Sequence, residues 1–265
     1  MRHEELTVGN GGKLYLYLWD NSIELYDGRL RPMIVICPGG GYEMTSDREA
    51  EGIAVKFMSM GFHAAVLRYS TAPARYPEAL LQLAESVKII RDNSREWYVD
   101  PDRVIVQGSS AGGHLAASLG VFFQKRFLSE TLGTDAKTLR PDGLILSYPV
   151  ITSGRYSHEP SFRNLLGAEF ESRKEEMSLE KQVSRHTPPT FLWHTYEDET
   201  VPAENSLLFV QALREHGVAA EFHMFPEGCH GLGTAGPLTM SSDGRGLQKD
   251  CAVWMNLAET WIHKI

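Results

Sequence analysis

The chain has 265 residues, 42% of them hydrophobic, enough to bury a sizeable core and far from the composition of a disordered segment. Lys and Arg number 26 against 34 Asp and Glu, a formal charge of −8, and no Lys/Arg run exceeds two residues, which argues against nucleic acid as a partner. Three cysteines (Cys37, Cys229, Cys251) without C-x-x-C spacing argue against a disulfide framework, and no apolar run approaches a membrane span.

The opening Met-Arg-His-Glu-Glu lacks the basic-then-apolar order of a secretion signal, so a cytoplasmic location is expected. Residues 13–19 read as a β-strand and residues 23–26 as a second extended piece, both at an antiparallel edge. Residues 33–37, Met-Ile-Val-Ile-Cys, form a continuous apolar run of the kind buried on both faces of a parallel sheet. The run ends in Pro38-Gly39-Gly40-Gly41-Tyr42. Ala50, Ile53, Ala54, Phe57 and Met58 then share one helical stripe, with Ser46 or Asp47 as cap and Gly61 as stop.

A strand is expected at 63–67, then a loop over 69–77, then a long helix carrying Leu80, Leu83, Ala84, Val87 and Ile90 and reaching about Trp97. Asp100-Pro101-Asp102 turns the chain into a strand over 104–106. After a helix from about residue 114 comes another buried strand at 143–147. Residues 150–187 break the alternation; they are polar and carry a charge run over 169–176, and we expect a small cap inserted over the carboxyl ends of the strands. Strand 190–194, a helix with Leu207, Leu208 and Leu213, and strand 220–225 resume the pattern. A last helix places Leu247, Cys251, Trp254, Ala258 and Trp261 or Ile262 on one stripe. Alternating strands and helices predict an α/β fold: one domain over 1–265 with a mostly parallel, doubly wound sheet and helices on both faces.

The most informative stretch is Gly108-Ser109-Ser110-Ala111-Gly112, a G-x-S-x-G sequence between a strand and a helix. A serine on such a turn is pushed out in a strained conformation, and its neighbours two positions away must be small because strand and helix backbones nearly touch. Ser109 would be flanked by Gln107 and Ala111, so Ser110 is the candidate nucleophile. The helix start also leaves the Ala111 N–H free where an oxyanion would form. Three glycines after the first buried strand can bring further N–H groups to the same spot, from Gly40, Gly41 or Tyr42. No Gly-Lys-Ser/Thr ending or G-x-G-x-x-G supports a phosphate loop instead.

A serine nucleophile needs a base and an acid that orients it. Asp198, after the strand at 190–194, and His230, after the strand at 220–225, both belong to the sheet edge that carries Ser110. Glu197 and Glu199 are rivals to Asp198, and His194 is the main rival to His230, whose neighbours Gly228 and Gly231 allow an exposed turn. His114, within the elbow helix, is expected to pack or hydrogen-bond there. Metal spacings and nucleotide or flavin fingerprints are absent, so no cofactor is expected.

The sequence is identified on these residues as a member of the α/β-hydrolase superfamily. Cys37-Pro-Gly-Gly-Gly-Tyr42, Arg68-Tyr-Ser-Thr-Ala-Pro-Ala-Arg-Tyr-Pro77, Gly108-Ser-Ser-Ala-Gly-Gly-His-Leu-Ala-Ala-Ser-Leu-Gly120 and His194-Thr-Tyr-Glu-Asp-Glu-Thr-Val-Pro202 resemble bacterial acetylxylan esterase-like proteins. Some of these carry the name endo-1,4-β-xylanase B, although glycoside hydrolysis by paired carboxylates finds no support in the elbow chemistry. The resemblance implies Ser110, Asp198 and His230 as catalytic residues and oxyanion donors on Ala111 and among Gly40, Gly41 and Tyr42. The substrate implied is a small acetylated sugar. We expect Tyr42 and Tyr148 as aromatic surfaces for it and, from the charge and apolar pattern, no membrane or nucleic-acid partner; a homo-oligomer is left open. The alternatives are a general short-chain carboxylesterase, a peptidase of prolyl-oligopeptidase type, for which we see no accessory domain, and a non-catalytic binding module, which would not need all three residues.

Overall fold

The computed structural model describes residues 1–25 and 28–265. Eight strands make one sheet: β1 (Arg2–Val8), β2 (Gly12–Leu18), β3 (Arg31–Cys37), β4 (His63–Arg68), β5 (Val99–Ser109), β6 (Gly143–Ser147), β7 (Thr190–Thr195) and β8 (Ala220–Phe225). Their order is β1-β2-β4-β3-β5-β6-β7-β8, with β1–β2 and β2–β4 antiparallel and every other pairing parallel. The helices are α1 (Glu51–Ser59), α2 (Glu78–Asp92), α3 (Ser94–Trp97), α4 (Ala111–Phe122), α5 (Arg126–Leu132), α6 (Ala136–Leu139), α7 (Glu159–Leu166), α8 (Phe170–Arg173), α9 (Glu204–Glu215) and α10 (Trp254–Ile262).

The apolar run of β3 is buried along its whole length because alternate side chains serve opposite faces. Met33, Val35 and Cys37 join a core with Leu80 and Leu83 of α2, Leu115 and Leu119 of α4, and Phe209 and Leu213 of α9. Ile34 and Ile36 join a second core with Ile53 and Phe57 of α1 and Trp254 and Ile262 of α10. The sheet is thus covered on both sides, as the strand–helix alternation requires.

Several expectations need correction. Residues 23–25 form a turn rather than an extended piece, and Tyr26 lies outside the described residues. The outermost strand is β1, whose charged Glu4 and Glu5 hide it from a hydrophobicity reading yet suit a sheet edge, where charge discourages pairing with other chains. Neither Ser46 nor Asp47 caps α1; a 3-10 turn, Asp47–Glu49, precedes it and no side chain caps either element. The long helix stops at Asp92, where Asn93 donates its side-chain amide to the Ile89 carbonyl, and α3 follows as a separate turn. Leu247 lies before α10 and is exposed.

The segment 150–187 meets the glycine loop at one point and the first core along much of its length. Asn164 of α7 donates to the Gly41 carbonyl at 3.0 Å, while Phe162, Leu165, Phe170 and Met177 sink into the first core. Its charge run forms local ion pairs, Arg173 with Glu169 and Glu176 and Lys174 with Glu171.

Candidate active site

At the end of β5 the chain reverses sharply into α4, with Ser110 at φ 54° and ψ −121°. A non-glycine residue held there stores on the order of 1–3 kcal/mol of strain. The neighbours hold it in place: Ser110 N–H donates to Ser147 O at 3.0 Å, and Ser110 O accepts from His114 N–H and Val150 N–H. The flanking glycines have the steric duty the motif implied. A Cβ at Gly108 would strike the Gly112 carbonyl, and one at Gly112 would strike the Cys37 and Pro38 carbonyls.

The loops after β7 and β8 bring Asp198 and His230 to the same edge. His230 Nε2 lies 2.8 Å from Ser110 Oγ, and His230 Nδ1 lies 2.6 Å from Asp198 Oδ2. Asp198 Oδ1 accepts from the N–H groups of Thr200 and Val201 at 3.0 and 2.9 Å. Burial opposes ionisation of Asp198, but hydrogen bonds from His194 and His230, the His230 charge and the Val201 N–H outweigh it and hold the carboxyl well below its ordinary range. His194 supports Asp198 rather than competing with His230. Its Nε2 faces both Val201 O at 2.9 Å and Asp198 Oδ2 at 3.3 Å, so that nitrogen carries the proton, while Nδ1 accepts from Ser206 Oγ. Glu197 and Glu199 are exposed.

Gly40 (φ 121°) and Gly41 (φ 64°) line a cavity of about 490 Å³ together with Ser110, His158 and His230. Among the described residues the N–H groups of Gly40, Gly41, Tyr42 and Ala111 have no intramolecular acceptor. The aromatic surfaces expected at Tyr42 and Tyr148 are not available to a sugar. Tyr42 is 3% exposed and its hydroxyl donates to His114 Nδ1 at 2.9 Å, while His114 Nε2–H donates to Met177 O. Burial lowers His114 to about 4, so it stays neutral and can accept. Tyr148 is 1% exposed; its ring meets the His230 ring edge-on at 5.0 Å, and its hydroxyl donates to Glu49 Oε1 at 2.7 Å. Tyr42 thus presents no ring surface to the cavity, and the Tyr148 ring packs beside His230.

Several cavity residues escaped the sequence reading, His158, Arg48 and Glu49 among them. His158, just before α7, hydrogen-bonds Ser161 Oγ at 2.8 Å, and burial followed by the nearby His230 charge lowers its pKa. Arg48 donates to Gly231 O at 2.9 Å, and Glu49 sits beneath the glycine loop. Their signal was local charge next to a helix start, which reads equally as a solvated face. Among the described residues no group of three or more His, Cys, Asp or Glu is placed to hold a metal ion, and no helix is long and apolar enough to cross a membrane.

A family model named BD-FAE matches residues 24–213, which contain the glycine loop, the elbow and Asp198. The chain belongs to the BD-FAE family of α/β-hydrolases. Its similarity to the endo-1,4-beta-xylanase B of Butyrivibrio fibrisolvens is 40% identity over 87% of the chain and 36% of that protein. The acetylxylan esterase of Xylanibacter ruminicola is 30% identical over 76% of the chain and 41% of its own length. The chain thus spans well under half of these two curated relatives. Among solved structures, an acetyl ester-xyloside bifunctional hydrolase of Caldicellulosiruptor lactoaceticus superimposes with a TM-score of 0.79 at 37% identity, over 96% of this BD-FAE chain and 88% of that one.

Proposed function

We propose that this BD-FAE protein is a serine esterase that removes acetyl groups from acetylated xylo-oligosaccharides or similar sugars. The observation that carries the reading is the unbroken line from Ser110 Oγ through His230 to Asp198, opening on the cavity lined by Gly40 and Gly41. His230 Nε2 takes the Oγ proton as Ser110 attacks the ester carbonyl, and Asp198 stabilises the imidazolium that forms. The tetrahedral oxyanion is received by the N–H of Ala111 and by the glycine loop, where Gly40 and Gly41 face the cavity. One such donor is typically worth about 10²–10³ in rate. His230 returns the proton to the departing alcohol. It then deprotonates a water molecule that attacks the acyl-enzyme and frees the acid and Ser110.

The sugar acetate is suggested by what two relatives are named for, acetylxylan and an acetyl ester-xyloside. An open cavity edged by Arg48, His158 and Thr200 offers polar contacts to a hydroxylated leaving group. The test is acetate release from acetylated xylo-oligosaccharides, run beside aryl esters of increasing acyl length and beside Ser110→Ala. We expect release that falls at least about 10³-fold in the variant. Undiminished activity of pure Ser110→Ala would sink the triad. Aryl-ester turnover without sugar deacetylation would keep the triad and discard the substrate.

A further inference from the structure

The turn Asp47–Glu49 places a carboxylate under the oxyanion loop that the reaction as described does not use. Glu49 is 3% exposed, and its two oxygens are divided between two partners. Oε2 accepts the Gly39 N–H at 2.9 Å, and Oε1 accepts the Tyr148 hydroxyl at 2.7 Å. Tyr148 Oη in turn accepts the Gly233 N–H at 2.9 Å, three residues beyond His230. Burial, and after it the Glu49 carboxyl, raise the Tyr148 phenol well above its ordinary pKa, so it remains a donor. The preceding side chain, Arg48, holds the Gly231 carbonyl of the same His230 loop.

Gly39 is confined between Glu49 and the nucleophile: a Cβ there would lie 2.5 Å from Glu49 Oε2 and 2.9 Å from Ser110 Cβ. The distance from the glycine loop to Ser110 is therefore set on one side by the elbow and on the other by this carboxylate. An N–H pinned one residue before Gly40 fixes the direction in which the Gly40 and Gly41 N–H groups point, and oxyanion stabilisation depends on donors that need not reorganise during the reaction.

We infer that Glu49 is the positioning residue of this site, locking the oxyanion loop through Gly39 and the His230 loop through Tyr148. This rests on the triad reading above. Removing its acceptors loosens the loop donors chiefly in the transition state, so kcat falls while KM holds.

The experiment compares wild type, Glu49→Leu, Glu49→Gln, Tyr148→Phe and Ser110→Ala on 4-nitrophenyl acetate, with circular dichroism and melting curves as checks of folding. A boronic acid that mimics the tetrahedral state supplies the second readout. For Glu49→Leu we expect kcat to fall about 10–100-fold with KM within about twofold. Boronate affinity should fall by the same factor as kcat/KM, which a general loss of packing would not produce. Glu49→Gln, which keeps an acceptor for Gly39, should recover most of the loss. Tyr148→Phe leaves the Gly39 contact intact and should shift the acid limb of the pH–rate profile more than it weakens the boronate. A folded Glu49→Leu with wild-type kcat and boronate affinity would overturn the proposal. Should Glu49→Leu fail to fold, Glu49→Ala takes its place, and an unchanged boronate affinity in folded Glu49→Ala together with an unchanged pH profile in Tyr148→Phe would overturn it instead. Activity surviving in Ser110→Ala would show that the triad reading itself had failed, a different result from an inert Glu49.

Discussion

In the proposed triad Asp198 both orients His230 and stabilises the fold around it. It accepts from two imidazoles and two backbone N–H groups while 5% exposed. Those contacts favour the ionised form, so its folded-state pKa lies below the value in the unfolded chain. The stabilisation is therefore complete above the unfolded pKa, about 3.9, and is lost as pH falls from there toward the folded value. For Asp198→Asn we expect kcat/KM to fall roughly 10³–10⁴-fold, because the His230 tautomer and its charge lose their partner. Its melting temperature should lie below wild type at neutral pH, with the gap closing only below about pH 4. A gap that stays constant across that range would mean that the carboxylate's charge is not what the surrounding donors hold.

At the scale of elements, the elbow is a contact between backbones, and glycine is required at Gly112 for space rather than for its dihedral angles. Gly112→Ala should cost about 3 kcal/mol or more and abolish activity, since the Cys37 and Pro38 carbonyls leave no room for a methyl group. Gly133→Ala is the control: Gly133 ends α5 at φ 59° with nothing within 4 Å of a new Cβ, so only about 1 kcal/mol of backbone strain is expected and full activity should remain. Equal losses in thermal denaturation would refute the steric account. The same contrast explains what the sequence disclosed. β3, β6 and β7 were legible because strands buried on both faces have nowhere to hide a polar residue, and the elbow because its spacing is a steric rule. β1 was not, because its stability comes from pairing with β2 while its own pattern is charged. In the sequence Tyr42 looks like an exposed ring after a glycine loop, and Tyr148 like one at the end of a strand. Their backbones have positive φ, and each hydroxyl meets a buried partner, His114 or Glu49, 72 and 99 positions away in the chain. No local periodicity encodes such a pairing, and Glu49 was hidden for the same reason.

For the whole molecule, the two cores that sandwich the sheet are each tied to a neutral buried histidine, and this predicts a specific acid sensitivity. His63, at the start of β4, accepts the Trp19 N–H on Nδ1 and donates through Nε2 to Tyr98 O. His114, in α4, accepts the Tyr42 hydroxyl and donates to Met177 O. Protonation would destroy the accepting side of each pair, joining the end of β2 to β4 in one case and the glycine loop to α4 in the other. Burial lowers both to about 4, against about 6.5 in an unfolded chain. Between those values the unfolded chain binds two more protons than the folded one, so stability must fall as pH falls from about 6.5 to about 4, by up to about 3 kcal/mol per histidine. Above about 6.5 the two groups contribute no slope, and the Asp198 contribution changes only below the window. Denaturant unfolding at several pH values across it should show the decline. His63→Gln and His114→Gln, which keep one acceptor and one donor without titrating, should each remove a similar share of it and together most of it, the remainder falling to His158, whose pKa burial also lowers. A double variant with an undiminished slope would place the acid sensitivity on other groups and leave these histidines as packing alone.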